Sequence, residues 1–290
     1  MKYILITGKN SYIGTKVSEW LLQFNNEYII DKISVRDNLW KKSDWSKYDV
    51  VFNVAGKAHQ KETVENKNEY YDINRNLSIS IAKKAKLDGV KHFIQLSTMS
   101  VFGVSEGIIT RTTPEQPLSH YGISKLQADT EILKLRESSF KIAIIRPPMV
   151  YGSDSPGNYQ KLSKFATKVR VFPKINNYRS MIHIDNLTEC VRIIINKELE
   201  GFFYPQNSDY VNTFELVNQI SKTRKINLLV LPNFLNWTKL VSFIVPQAKK
   251  VFGNLIYDKS MSDIFIDGNK HLNYTIRDFE ESVKLTENEK

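Results

Sequence analysis

Apolar positions in the first half of the chain follow two alternating patterns. Short, nearly continuous apolar runs alternate with longer stretches whose apolar residues recur at helical spacing. The runs cover residues 3–6, 28–36, 49–55, 92–97 and 142–146, and the helical stretches cover 12–24, 67–88 and 121–135. Strands that are apolar on both faces and alternate with helices are typical of a parallel sheet covered on both sides. The pattern therefore predicts an α/β protein built on a doubly wound parallel sheet.

The regular pattern loosens after Gly152. Prolines at positions 156, 173, 205, 232 and 246 separate shorter helix-like and strand-like segments. We predict a sheet domain over residues 1–152 and a smaller, substrate-binding α/β lobe over 153–290, partly interleaved with the sheet. The most apolar stretch, 228–245, contains a proline and a lysine. It therefore predicts an amphipathic helix that packs on the core or forms an oligomer contact, not a membrane span.

Composition narrows the class of protein. A chain of 290 residues with 41% hydrophobic and 25% charged residues is an ordinary globular protein. Its single cysteine, Cys190, excludes an intramolecular disulfide and a zinc site built from several cysteines. The five histidines are dispersed, so no metal site is expected. The first residues indicate a strand, not a signal peptide, which favours a cytoplasmic protein.

Charge points to the kind of ligand. Lysine and arginine total 41 against 31 aspartate and glutamate, a net charge of +10 that favours anionic partners. The basic residues are scattered and form no dense tract. We therefore expect a phosphorylated small molecule as the ligand, and no nucleic acid.

Glycine is scarce, at 12 of 290 residues, and two of the glycines flank the first strand–helix turn. Gly8 would permit a tight turn and Gly14 would let the helix pack close to the strand. The N–H groups that would face a pyrophosphate at the helix start belong to Ser11, Tyr12 and Ile13. Ser11 replaces the middle glycine of the dinucleotide-binding pattern. Such turns also occur as simple connections, so this motif predicts a Rossmann sheet only with further support.

The end of the second predicted strand provides that support and bears on the cofactor. Arg36 stands where an acidic residue would bind a ribose 2′-hydroxyl and a basic one a 2′-phosphate. This favours NADPH as the cofactor. Asp37 follows directly, so NAD(H) stays possible, and a solvated strand-end charge is the alternative interpretation of Arg36.

Tyr121 and Lys125 lie four residues apart on a predicted helix and therefore on one face of it. A nearby cation favours the phenolate and would lower the pKa of Tyr121 from about 10 toward neutrality. Tyrosine and lysine at this spacing also occur on many surface helices. Thr98, however, follows a predicted strand at the sheet edge where ligands bind, although a strand-end threonine is often only a cap. The three together predict a site for proton transfer to a substrate oxygen.

With these motifs the chain resembles the extended short-chain dehydrogenases/reductases, the family of nucleotide-sugar epimerases, dehydratases and reductases. The segments that carry the resemblance are TGKNSYIG at 7–14, NVAG at 53–56, Asn74, Thr98, Tyr121 with Lys125, RPPMVYG at 146–152 and RSMIHID at 179–185. The resemblance implies a catalytic triad of Thr98, Tyr121 and Lys125. It implies further dinucleotide contacts from Ala55, Gly56, Asn74, Lys125 and Pro148. It implies substrate contacts from Thr98, Met99, Met149, Asn158 and Arg179.

We expect a definite role for each of two residues in the segment 179–185. Arg179 would grip the nucleotide diphosphate, which suits a planar, two-pronged cation. His183, in contrast, is expected to be a structural residue on a strand.

Five segments narrow the resemblance: STMSVFG, RPPMVYG, PGNYQKL, FPKINNYRS and FGNLIY. They are similar to a Gram-positive capsule-synthesis branch that reduces UDP-4-keto-6-deoxy-N-acetylhexosamines to UDP-N-acetylfucosamine or a close relative such as the quinovosamine. Met149 replaces an asparagine of many sugar epimerases, and Met99 with Ser100 replaces the Asp–Glu pair of sugar 4,6-dehydratases. These departures disfavour ordinary hexose epimerisation and dehydration.

The resemblance therefore implies NADPH-dependent reduction of the C4 ketone of a UDP-sugar. One alternative is a UDP-sugar 4-epimerase that recycles bound NAD, since Asp37-Asn38-Leu39 resembles an epimerase strand end. A remote alternative is a non-catalytic dinucleotide sensor, a class that typically loses the tyrosine or the lysine. The resemblance also implies a homodimer formed through helices 67–88 and 121–135.

Overall fold

A computed structural model gives the fold of the chain and describes residues 1–58, 60–232, 253–266 and 270–288. The strands are β1 (Lys2–Thr7), β2 (Tyr28–Ile33), β3 (Val50–Asn53), β4 (His92–Leu96), β5 (Gly107–Ile109), β6 (Lys141–Ile145), β7 (Met149–Tyr151), β8 (Val171–Pro173), β9 (Met181–His183), β10 (Gly201–Phe203), β11 (Leu229–Leu231), β12 (Leu255–Tyr257), β13 (Phe265–Ile266) and β14 (Lys270–His271). The helices are α1 (Tyr12–Leu21), α2 (Lys67–Tyr70), α3 (Ser78–Leu87), α4 (His120–Leu133), α5 (Asn158–Ala166), α6 (Ile184–Lys197), α7 (Thr213–Thr223) and α8 (Phe279–Asn288). A π-helical stretch, Tyr71–Leu77, joins α2 to α3, and short 3₁₀ turns cover Leu39–Lys42, Met99–Phe102 and Lys259–Met261.

Six strands form one parallel sheet in the order β10-β6-β4-β3-β1-β2. The chain leaves β1 toward β2 on one side and then continues through β3 on the other, so the winding direction reverses between β1 and β3. Ligands of open α/β sheets bind beyond the carboxyl ends of the strands at such a switch point. The predicted doubly wound parallel sheet is confirmed.

The alternation of side chains along β1 explains why both faces of the sheet are covered. Ile4 and Ile6 are buried in a core with residues of α1 and α6, whereas Leu5 is buried in a second core with residues of α3 and α4. Successive side chains of a strand point to opposite faces, so a continuous apolar run supplies both cores.

The second half of the chain contributes to more than one layer. Helix α6 packs against the sheet together with α1, and β10 forms the edge strand beside β6. Helices α5, α7 and α8 surround a separate core that contains Tyr151 and Tyr159. The division of the chain into domains at residue 152 stays a prediction.

The apolar stretch 228–245 is described only at its start. Leu229–Leu231 forms β11, which pairs in parallel with β8, so this part is a strand and not the predicted helix. Residues 233–245 lie outside the described residues. Within the described part of the chain, the helices are too short or too polar to cross a membrane.

Candidate active site

The turn after β1 lies at the switch point of the sheet. Gly8 has a φ of +86°, and a Cβ on it would lie 3.2 Å from the Ala55 Cα in the segment after β3. The Ile33 carbonyl at the end of β2 accepts hydrogen bonds from Gly8 N at 3.0 Å and Lys9 N at 2.9 Å. Both the left-handed backbone and the close approach require glycine here. The turn is therefore held between the ends of β2 and β3.

Ser11 caps the helix that follows the turn. Its hydroxyl accepts from Gly14 N at 3.4 Å, and α1 begins at Tyr12. A hydroxyl at the N-cap satisfies a backbone donor that a glycine would leave open, which explains the departure at this position. A Cβ on Gly14 would lie 2.9 Å from Val54 Cγ2, so α1 packs closely on the sheet. The first-turn N–H groups, including that of Ile13, lie at a helix start that favours an anion.

The prediction that Arg36 closes the second strand is wrong. The pairing of β2 with β1 ends at Ile33, because β1 ends at Thr7 and its chain turns away at Gly8. Ser34 is the first residue beyond the strand, and Arg36 is exposed in the loop that follows. Contact of Arg36 with a ribose 2′-phosphate from this loop stays a prediction, and so does the preference for NADPH.

A close contact between α4 and the 3₁₀ turn after β4 positions Tyr121 at the edge of the sheet. Ser119 caps α4 by accepting from Gly122 N at 3.0 Å. A Cβ on Gly122 would lie 2.7 Å from the Ser100 carbonyl, so only glycine lets α4 approach the 3₁₀ turn after β4 this closely. The approach brings the Tyr121 phenol close enough to Thr98 for the Thr98 hydroxyl to act on its pKa. Two of the three predicted catalytic side chains therefore lie close together.

Thr98 also caps the 3₁₀ turn Met99–Phe102, as its position after a strand suggested. Its hydroxyl accepts from Ser100 N at 3.1 Å and donates to Ser100 Oγ at 3.2 Å. The turn is anchored to the end of β6, since Met99 N donates to the Pro147 carbonyl at 3.0 Å. This holds the Thr98 hydroxyl against the sheet edge.

The pKa of Tyr121 differs from the expectation. Burial raises the pKa of the phenol above its ordinary value, and the nearby Thr98 hydroxyl acts in the opposite direction. Lys125 is not among the groups that shift the pKa of this phenol, and its ammonium donates to the Leu96 carbonyl at the end of β4, at 2.8 Å. Burial lowers the pKa of Lys125 to about 8. The expected depression of the tyrosine pKa by the lysine is therefore wrong in this structure.

Lys125 lies beside the loop after β3. A Cβ on Gly56 would lie 3.3 Å from Lys125 Nζ and 3.2 Å from Asn74 Oδ1. Asn74, in the π-helical stretch, uses its amide to hold this loop: Oδ1 accepts from Lys57 N at 2.7 Å, and Nδ2 donates to the Lys57 carbonyl at 3.1 Å and to Ser124 Oγ at 3.3 Å. Asn74 thus supports the loop that carries Ala55 and Gly56, and its direct contact with a dinucleotide stays a prediction.

The remaining predicted residues lie farther along the chain. Pro148 is buried after β6, and Met149 is half-buried at the start of β7. Arg179 donates to the Gly253 carbonyl at 3.0 Å, and burial lowers its pKa. Asn158 is exposed at the start of α5. The contact of Pro148 with a dinucleotide and the contacts of the other three with a substrate stay predictions.

His183 behaves as expected of a structural residue. It ends β9, is buried, and its Nδ1 accepts from Asp185 N at 3.3 Å, which caps α6. Burial lowers the pKa of His183 to about 4, so the ring is neutral near pH 7.

The structure adds Glu62, which the sequence did not indicate. Its carboxylate accepts from His120 N at 3.0 Å and from Tyr121 N at 2.9 Å, so it caps α4 from the loop after β3. No local pattern joins Glu62 to a helix that begins 58 residues later. The contact ties the proposed dinucleotide loop to the helix that carries Tyr121.

Asp129 is the second addition, and its position four residues after Lys125 could have drawn attention to it. Its Oδ2 accepts from Ser97 Oγ at 2.7 Å and from Arg146 Nε at 3.0 Å. Arg146 is fully buried, also pairs with Glu115, and lies 4.3 Å from the ring centre of Phe202. Burial raises the pKa of Asp129 to about 6, although Arg146 opposes the shift. A charged network therefore lies directly beneath α4.

Comparison with known sequences decides the family. The sequence signature of the NAD-dependent epimerase/dehydratase family matches residues 4–202. The chain belongs to this family. The family resemblance inferred from the motifs is confirmed, and the protein is an enzyme of the extended short-chain dehydrogenase/reductase type.

Two relatives of this family member are named for reactions at C4 of a sugar. Over 251 residues, covering 76% of this chain and 75% of the relative, the chain is 28% identical to UDP-glucose 4-epimerase of Vibrio cholerae. It is 26% identical over 252 residues, 79% of this chain and 75% of the relative, to N-acetyl-α-D-glucosaminyl-diphospho-ditrans,octacis-undecaprenol 4-epimerase of Escherichia coli O157:H7.

The fold is shared with solved structures of the family. A dTDP-4-dehydrorhamnose reductase from Clostridium acetobutylicum superposes with a TM-score of 0.75 at 20% identity, and the match covers 98% of each chain. At this identity the likeness establishes the fold alone.

Proposed function

We propose that this enzyme transfers a hydride to or from C4 of a UDP-sugar. The observation that carries the proposal is the meeting of Tyr121 with Thr98, and of Lys125 with the Gly56 loop, at one edge of the sheet. The names of the two relatives support C4 as the reacting position and a sugar diphosphate as the substrate. NAD or NADP supplies the hydride chemistry when bound.

The residues of the chain fit a dinucleotide at the switch point. Gly8 and the first turn of α1 would hold the pyrophosphate, because backbone N–H groups gather there. Lys125 and the Gly56 loop would hold the nicotinamide ribose. Arg179 would hold the substrate diphosphate from the second half of the chain.

Tyr121 and Thr98 act on the C4 oxygen. Thr98 donates a hydrogen bond to it, and Tyr121 gives up or receives the proton as the carbonyl and alcohol forms interconvert. Because the pKa of Tyr121 lies above its ordinary value, the phenol carries its proton at neutral pH and is ready to act as a donor.

Between the two forms of this chemistry, the relatives favour the 4-epimerase. An epimerase returns the hydride to the other face of C4 and shows no net consumption of cofactor. The exposed position of Arg36 beyond the strand end leaves no geometric argument against NAD as that cofactor.

The reductase is the second candidate, and one feature of the sequence favours it. Met149 stands where many epimerases carry a substrate-binding asparagine. In this form the enzyme would reduce a UDP-4-keto-6-deoxy-N-acetylhexosamine with NADPH or NADH, as the capsule-synthesis motifs suggest. Either form would supply a sugar for a surface polysaccharide, and we expect the enzyme to work as a homodimer.

Two assays on the purified protein separate the candidates. The first follows interconversion of UDP-N-acetylglucosamine and UDP-N-acetylgalactosamine with no added reductant. The second follows loss of NADPH or NADH absorbance with a UDP-4-keto-6-deoxy-N-acetylhexosamine. Interconversion without net oxidation supports the epimerase, and stoichiometric oxidation supports the reductase. Activity in neither assay would contradict the proposed reaction at C4 of a UDP-sugar.

A further inference from the structure

A buried carboxylate lies one helical turn from the proposed ribose-binding lysine. Asp129 and Lys125 are four residues apart on α4, and their exposed fractions are 1% and 5%. Charges interact far more strongly in such a buried setting than at the surface, because water does not screen them. The Asp129 charge therefore acts on its neighbours at close range.

The hydrogen bonds of Asp129 are unequally divided between its two oxygens. Oδ2 accepts from both Ser97 and Arg146, whereas Oδ1 has no hydrogen-bond partner among the described residues. A carboxylate held only for stability is expected to have both oxygens bonded, since a buried acceptor without a partner is costly. The negative charge of Asp129 is thus held by two donors on a single oxygen.

Charged and titratable groups face Asp129 from several elements. Arg146, which follows β6, shares its positive charge between Asp129 and Glu115, so it does not neutralise Asp129 alone. Lys125 from the same helix, Tyr121 at its start and Tyr257 of β12 also interact electrostatically with Asp129. Tyr121, Lys125 and Asp129 follow one another at intervals of four residues along α4, so the carboxylate lies on the helix face that carries both groups to which we assign proton chemistry.

We propose that Asp129 sets the pH range in which Tyr121 and Lys125 work, by favouring the protonated form of both groups through its buried charge. The proposal rests on the proposed function, because it assigns proton transfer to Tyr121. Asp129 contacts neither substrate nor cofactor in this assignment and acts only through the other two residues.

The sign of the effect does not depend on reaction direction. A negative charge raises the pKa of a nearby phenol and of a nearby ammonium alike, and Asp129 raises the pKa of both Tyr121 and Lys125. Removing that charge lowers both pKa values. In ketone reduction and in alcohol oxidation alike, each limb of the pH–rate profile must therefore move to lower pH.

The test is the pH dependence of kcat and kcat/KM for Asp129→Asn, measured with whichever substrate the wild type turns over. We expect both limbs to move to lower pH by about one unit, the scale of a close charge effect. The pKa of Asp129 is raised to about 6, so wild type and variant should have the same profile below that pH and separate above it. A variant that loses activity without moving either limb would overturn the proposal.

Two further variants separate charge from structure. Glu115→Gln removes a negative charge from the same network, but from a side chain that is 35% exposed and lies beyond Arg146, so the limbs should stay within about 0.2 unit. Equal shifts in Glu115→Gln and Asp129→Asn would contradict a specific role for Asp129.

Ser97→Ala keeps the charge but removes a donor that lowers the pKa of Asp129. The pH–rate profile of Ser97→Ala should therefore separate from that of Asp129→Asn at a higher pH than the wild-type profile does. Separation at the same pH as in the wild type would count against the proposal. If Asp129→Asn does not fold, Ser97→Ala is compared with the wild type instead. The break in the pH–rate profile that follows the titration of Asp129 should then move to higher pH.

Tyr121→Phe and Asp129→Asn together distinguish a failure of this inference from a failure of the proposed function. If Tyr121→Phe retains wild-type turnover, the proton-transfer role itself is wrong. If Tyr121→Phe is inactive and the limbs of Asp129→Asn are unmoved, only the role of Asp129 is wrong.

Discussion

Two buried carboxylates, one in each half of the chain, differ in the hydrogen bonds that their oxygens accept. Glu287 of α8 has both oxygens bonded: Oε1 accepts from Tyr159 at 3.0 Å, and Oε2 accepts from Ser163 and from Arg224, each at 3.0 Å. Asp129 of α4 has one oxygen that accepts two bonds and one that accepts none from the described residues. Both side chains are almost completely buried.

The difference separates stability from function. The Glu287 network joins α8 to α5 and to the end of α7, and all of its members are on elements that form one core. The Asp129 network joins α4 to the ends of β4 and β6, where the proposed chemistry takes place. A satisfied buried network locks elements together, and the Asp129 network in addition places a buried charge beside the proposed site. Four predictions separate residues of the site from residues that stabilise the fold, beginning with the largest effect.

Tyr121→Phe should reduce turnover by about 10²-fold or more, because it removes the positioned proton donor and little else. Steady-state kinetics measure the loss, and thermal unfolding should show the same stability as the wild type. Tyr71→Phe is the matched control: this phenol bonds His120 Nδ1 at 3.0 Å and lies outside the proposed triad. Equal losses in the two variants would deny Tyr121 a special role.

Glu287→Gln should reduce the free energy of unfolding by about 3 kcal/mol, because it removes the buried anion that pairs with the Arg224 guanidinium. Urea unfolding measures the change. Glu280→Gln, whose side chain is 69% exposed on the same helix, should have almost no effect. The pH–rate profile of Glu287→Gln should match that of the wild type, and a shift like that expected for Asp129→Asn would erase the contrast between the two networks.

Acid should weaken the sheet through His92. Burial lowers the pKa of His92 from 6.5 to about 4, so the unfolded chain binds a proton in this window that the folded chain does not. Its contribution to stability is therefore complete above pH 6.5 and is lost as the pH falls toward 4, by about 3 kcal/mol.

Unfolding free energies measured across this window should fall less steeply in His92→Gln than in the wild type. His183 has its pKa lowered to about 4 as well, so His183→Gln should flatten the same window from the other half of the chain. An unchanged slope in both variants would show that acid acts elsewhere.

Glu62→Ala should have the smallest effect, a loss of about 1 kcal/mol in unfolding free energy together with a lower kcat, because two N–H groups at the start of α4 lose their acceptor. Glu62→Gln keeps one acceptor oxygen and should restore part of both losses. If the alanine variant loses stability with kcat unchanged, Glu62 has no role in positioning Tyr121.

Much of the architecture was decided by local sequence. The apolar runs and helical spacings indicated the strands and helices of the parallel sheet, because burial on both faces requires continuous apolar strands. The spacing of Tyr121 and Lys125 and the placement of Thr98 after a strand indicated the site, because parallel strands bring their carboxyl ends to one edge. Ser11, a departure in the motif, has a local reason as well, since it caps α1.

Tertiary structure alone decided four other features. The end of β2 at Ile33 depends on where its neighbour β1 turns away, so Arg36 could not be placed from its own segment. The direction of the Lys125 ammonium depends on a carbonyl at the end of β4, and the cap from Glu62 comes from a distant loop. The pKa values of Tyr121 and Asp129 follow burial and neighbouring charges that only the folded chain brings together. Local sequence selects the elements, whereas long-range contacts set strand ends, side-chain directions and the electrostatics of the site.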